Sequence, residues 1–163
     1  MRKKSDLTSF VALTCAIIFG SLSILATAEA ASWNGIEPLK SRRDDVLRIL
    51  GKPLREGASG MLVFSVSGGT VIVSFVDEKF VNTKKFRPDL VGSVLEIVLQ
   101  HDSSSNTPES MKLLGNKAFI RDETGNAMIF RNLKEGIAYT FLNGKLRTTR
   151  YTFSDSQLGR ARK

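Results

Sequence analysis

The chain has 163 residues, with 24 Lys and Arg against 16 Asp and Glu and a formal net charge of +8. One His and one Cys leave too few ligands for a clustered metal site and no partner for a disulfide, so a zinc centre and a disulfide framework are both excluded. The basic balance favours anionic partners, among them acidic glycans, lipid head groups and acidic protein surfaces; its plainest reading is a solubilising surface.

Residues 1–30 read as an export signal. Arg2, Lys3 and Lys4 precede a run, residues 7–28, that carries no charge, and Ala28-Glu29-Ala30 offers a small-residue cleavage site before Ala31. The expected location is periplasmic or secreted. The uncharged run is also long enough to span a bilayer, so an uncleaved inner-membrane anchor formed by residues 7–28 is the alternative. Cys15 lies inside that run and not at its end, which argues against lipidation, and residues 31–163 contain no cysteine.

Residues 32–40 form a lead-in segment in which Trp33 reads as a packing residue and Leu39 is placed to staple the following helix. That helix spans residues 41–51. Ser41 is its expected N-cap, Asp44 and Asp45 complement its positive end, Val46, Ile49 and Leu50 share one face, and Gly51 closes it before Pro53. Residues 61–66 and 70–76 are rich in β-branched and aromatic side chains and are joined by Ser67-Gly68-Gly69, which predicts a hairpin. Residues 77–92 read as an irregular loop where Lys84, Lys85 and Arg87 stand beside Phe80 and Phe86. Lys84, Lys85, Phe86 and Arg87 are therefore the candidate anion or partner site, against the alternative of a loop with its phenylalanines tucked under and its lysines solvated.

A strand is expected at 93–100 and a polar linker at 101–106. A second short helix is expected from Thr107, with Pro108 in its first turn, to Gly115. Strands follow at 127–131, 136–142 and 146–153, with Asn143-Gly144 as a hairpin turn, and residues 154–163 read as a frayed basic tail. The whole predicts an α+β fold with short helices on one face of an antiparallel sheet, in two tandem units, 31–100 and 107–153. The two halves repeat the order helix, Leu-Gly stop, loop, hairpin: Leu50-Gly51 matches Leu114-Gly115, and Leu62, Phe64, Val71, Val73 and Phe75 match Met128, Phe130, Ile137, Tyr139 and Phe141. Chance likeness between two hairpins is the competing explanation.

The motif D-V-x-x-x-L-G-x-P at residues 45–53, followed by a strand meander, resembles the small outer-membrane assembly lipoproteins of the BamE/SmpA type. The tandem arrangement is similar to the β-lactamase-inhibitor-protein architecture, whose sheet presents a concave binding face. G-I-x-P-L-x-S-x-R-x-D-V at residues 35–46, E-G-I-x-Y at 135–139 and N-G-K at 143–145 resemble uncharacterised exported bacterial proteins. These resemblances imply a binding domain of the cell envelope. The absence of a lipidated cysteine after the signal is a departure from the assembly lipoproteins.

Catalytic groups are sparse. His101-Asp102 and Ser103 to Ser105 supply the residue types of a triad, but neighbours in one polar stretch do not provide its fixed geometry. Asp44 and Asp45 are explained by the cap, and Asp77, Glu78, Asp122 and Glu123 by turns; Ser67-Gly68-Gly69 opens no helix and so makes no phosphate loop. No catalytic residue, metal or cofactor is expected, and the chain is not expected to be an enzyme. The expected partner is an envelope or extracellular protein, met by the exposed sheet face or by residues 77–92. A basic domain binding an anionic glycan, lipid or nucleic acid is the alternative, with nucleic acid not the expected partner, and inhibition of an extracellular enzyme is a third reading drawn from architecture alone.

Overall fold

The structure, a computed structural model, describes residues 30–162, so the expected export signal lies outside the described residues apart from Ala30. Among the described residues the fold is α+β, with eight strands in one antiparallel sheet and three α-helices. In chain order these are α1 (Arg43–Leu50), β1 (Arg55–Glu56), β2 (Leu62–Val66), β3 (Gly69–Phe75), α2 (Glu78–Lys84), β4 (Val94–His101), β5 (Ile120–Thr124), β6 (Ala127–Asn132), β7 (Ile137–Leu142), β8 (Lys145–Thr152) and α3 (Asp155–Ala161). The sheet order is β1-β2-β3-β4-β8-β7-β6-β5, so two four-stranded meanders meet edge to edge through β4 and β8.

One face of this sheet is covered along its length. In the first meander Leu62 and Phe64 of β2 stand opposite Val73 and Val71 of β3, and these stand opposite Ile97 and Leu99 of β4. Val46, Leu47, Ile49 and Leu50 of α1 pack on that row together with Trp33 and Ile36. In the second meander Met128, Phe130, Tyr139, Phe141 and Leu146 continue the same face under Met111, Leu113 and Phe119. Phe130 and Phe141 meet edge to face with centroids 5.8 Å apart, a favoured aromatic geometry.

Several expectations are corrected. The helix expected at 107–115 is a set of turns: one turn closes from the Met111 N–H to the Thr107 carbonyl, and Lys112 then takes φ 54°. The reason is local, because Thr107 and Ser110 exchange side-chain hydrogen bonds that serve a turn as well as a cap, and Leu113 is drawn down onto Phe130 and Phe141. Residues 77–92 are not an irregular loop. Asp77 caps α2 by accepting from the Phe80 N–H at 2.6 Å, and Lys85 ends it in the left-handed conformation. The tail is not frayed: Ser154 and Gln157 form a reciprocal capping box at the start of α3.

The expectation of short helices on one face holds for α1 only. α2 and α3 gather instead at the strand ends, where Val81, Phe80, Leu158 and Ala161 pack with Val76, Phe86, Leu90 and Phe153. The α1 cap also shifts by one residue. Arg42 is the N-cap, and its guanidinium has no acceptor, so the cap is made from one side only, by the Asp45 carboxylate accepting from the Arg42 N–H at 3.0 Å. Ser41 instead accepts from the Glu37 N–H. Among the described residues, no helix is long and apolar enough to cross a membrane.

Candidate functional site

The opposite face of the second meander has no such cover. Cross-strand register places Ile120, Arg131, Ala138 and Arg150 in one row and Asp122, Ile129, Thr140 and Thr148 in the next; Ala127 stands opposite Leu142 beyond them. Ile120 and Leu133 are 51% exposed, and Ile129 and Leu142 are also exposed. The other large exposed hydrophobics among the described residues, Leu54 and Leu114, lie elsewhere. Exposed apolar side chains thus alternate with Arg131, Asp122 and Arg150 on this face, the mixed composition of an interaction surface.

Towards α3 this face deepens into a groove of about 600 Å³, with Ile129, Ala138 and Thr140 on its floor and Leu133, Phe153 and Leu158 on its walls. The walls are fixed by hydrogen bonds. The Asp155 N–H donates to the Leu133 carbonyl at 3.0 Å, and the Gly136 N–H closes the turn onto the Asn132 carbonyl at 2.9 Å. Gln157, a buried residue of α3, donates from Nε2 to the Pro38 carbonyl at 2.8 Å and to Glu37 Oε1 at 3.2 Å, tying the helix to the lead-in segment. Gly136 has φ 73°, and a Cβ there would lie 2.2 Å from the Thr152 carbonyl oxygen, so only glycine fits that corner. Of the charged residues on the groove, Arg131 pairs with Asp122, and Arg150 pairs with Glu96 at 3.6 Å.

The sequence-predicted site residues are placed less uniformly. Lys84 and Lys85 are exposed at the end of α2, and Arg87 is exposed and paired with Asp89 at 3.0 Å. Phe86 is 1% exposed and meets Phe80 and Phe153 edge to face, so its ring is a core element and offers no stacking platform. Arg87 shares a smaller hollow of about 230 Å³ with Lys40, Arg160 and Glu37.

His101 is brought to Thr149, with Nε2 3.0 Å from Oγ1 across the β4–β8 seam, while the Asp102 N–H turns to the Gly68 carbonyl. Burial of the imidazole pushes its pKa below the ordinary value. Among the described residues no group of three or more His, Cys, Asp or Glu side chains is placed to hold a metal ion. The groove residues Ile129, Leu133 and Arg150 were not singled out from sequence, because a strand's alternation marks two faces without saying which one the rest of the chain covers.

No family model and no curated protein matches the chain. Among solved structures it is similar to an extracellular protein containing a SCP domain from Bacillus anthracis str. Ames, with TM-score 0.41 and 12% identity, over 81% of this chain and 50% of that one. The chain therefore spans half the length of that protein.

Proposed function

We propose that the chain is an exported, non-catalytic protein-binding module of the cell envelope, and that the uncovered face of β5–β8 is its contact surface. The observation that carries this reading is the gathering of Ile120, Ile129, Leu133 and Leu142 on and beside one open sheet face, next to a groove where Arg131 pairs with Asp122 and Arg150 with Glu96. Protein interfaces mix exposed apolar side chains with polar ones, and charges across them fix register and specificity more than affinity. Two tandem units that arose by duplication fit the sheet order, in which β5 to β8 repeat β1 to β4 across the β4–β8 seam.

The test is capture from an envelope extract with the purified protein as bait, in wild type and in Ile129→Asp and Leu133→Asp. A discrete protein retained by wild type and lost by both variants is the expected result. Retention unchanged in both variants removes this face from the function.

A second reading has its own observation. Lys84 and Lys85 are exposed, and Arg87 shares a hollow with Lys40, Arg160 and Glu37, a basic surface that suits an anionic glycan or lipid head group. Triple replacement of Lys84, Lys85 and Arg87 by Glu abolishes binding on that reading and leaves it nearly unchanged on the first.

A further inference from the structure

β5 is the outermost strand on its side of the sheet and is exposed along all five residues, whereas the opposite edge, β1, has only two. Its sequence, Ile-Arg-Asp-Glu-Thr, resembles a protected edge, since charge normally keeps strand edges apart. The order of those charges is what matters. β5 and β6 are joined through Gly125 and Asn126, with Thr124 opposite Ala127. Gly125 has φ 60°, which suits a two-residue turn of the tight hairpin type, and the residues flanking such a turn exchange both backbone hydrogen bonds. By alternation Ile120, Asp122 and Thr124 bond inward to β6, and the N–H and C=O groups of Arg121 and Glu123 point outward.

A second copy added antiparallel to this edge must therefore pair Arg121 and Glu123 with the same two residues of its neighbour. Three registers do so. One sets Arg121 opposite Arg121, one sets Glu123 opposite Glu123, and the third sets Arg121 opposite Glu123 twice, once on each side of a two-fold axis through Asp122. The first two are repulsive and the third is doubly attractive. In that register the two Asp122 residues meet on the axis, each already paired with its own Arg131, and Ile120 of each copy falls opposite Thr124 of the other.

We propose that β5 is a self-complementary edge through which two copies of this chain pair antiparallel about Asp122, joining their sheets. The pairing uses the backbone edge of β5 and the proposed partner surface its open face; they share Ile120, but Arg121 and Glu123 alternate to the covered face, so variants there test the pairing and variants at Ile129 and Leu133 test the partner surface. A five-residue strand edge with two cross-strand ion pairs makes a weak dimer.

The test uses full-length protein in sedimentation-equilibrium runs at rising concentration. Wild type associates. Arg121→Glu alone and Glu123→Arg alone each set like charges opposite one another and weaken association roughly tenfold or more. An equimolar mixture of the two variants restores it, because both outward positions are then negative on one strand and positive on the other, and each meets its opposite across the axis. The intramolecular Arg121–Glu123 ion pair is lost in both variants, so recovery in the mixture reports only the contact between copies. Amide hydrogen exchange on wild type gives a readout that needs no variant: the Arg121 and Glu123 amides gain protection as concentration rises. A wild type that stays monomeric, association equal in all four samples, or a mixture no stronger than its components overturns the proposal.

Discussion

His101 is the one side chain of the β4–β8 seam whose charge changes near neutral pH. Its burial favours the neutral ring, so the folded chain holds this proton less tightly than the unfolded chain does. Below about pH 6.5 the unfolded state therefore binds more protons, and the stability contributed by neutral His101 is complete above that value and lost as pH falls through the folded value. Thermal melts between about pH 7 and pH 5 should show Tm falling with pH in wild type and a flatter profile in His101→Gln, which keeps a hydrogen-bonding group for Thr149. An identical slope in both would assign the pH dependence to other groups. Gly69, opposite His101 in the β3–β4 pairing, poses a different constraint. A Cβ there would lie 1.9 Å from the Gln100 carbonyl oxygen, so Gly69→Ala must push β3 away from β4 and destabilise the sheet.

The elements show which local signals decide structure. Ser154 and Gln157 spell a capping box in sequence, and the structure uses it: the Gln157 N–H donates to Ser154 Oγ at 3.2 Å and the Ser154 N–H to Gln157 Oε1 at 3.0 Å. Ser154→Ala removes one half of it at a fully buried position and should lower stability by about 1–2 kcal/mol, read from urea melts. The same change opens the groove wall that α3 provides. This helix was legible but was masked by the basic residues around it, and α2 was masked likewise, although Asp77 three residues before Phe80 is the same kind of signal.

Strands β2, β3, β4, β7 and β8 were readable to within a residue or two, because each puts β-branched or aromatic side chains on a covered face. β5 was not, because both of its faces are exposed and no apolar alternation is left to read. The segment at 107–115 failed in the opposite sense: Thr107, Pro108 and Gly115 satisfy the rules for a helix and those for consecutive turns equally well, and the burial of Leu113 against Phe130 decided between them.

At the scale of the molecule, two meanders share one sheet, and the seam between β4 and β8 carries five residue pairs from Glu96–Thr152 to Gln100–Thr148. That seam predicts one cooperative unit. Trp33, the only tryptophan, packs in the first half, and Phe141, fully buried, lies in the second. Phe141→Ala should cost about 3–5 kcal/mol and move the Trp33 fluorescence transition and the far-ultraviolet circular dichroism transition together. Two separated transitions, with Trp33 unmoved, would make the halves independent.

The open face was legible only in outline. An exposed sheet face was expected, but Ile129 looks in sequence like any core residue of a strand, and its exposure follows from where residues 107–119 and α3 settle. The site expected from charge and aromatics divides on folding, with Phe86 in the core and Lys84 and Lys85 in solvent. The most direct test of the partner surface is envelope capture at about 0.1 M and about 1 M salt, comparing wild type with Ile129→Asp and with the triple replacement of Lys84, Lys85 and Arg87 by Glu. If the open face is the contact surface, a protein partner is held at both salt concentrations, kept by the triple variant and lost by Ile129→Asp. A partner released by salt, lost in the triple variant and kept by Ile129→Asp would contradict it.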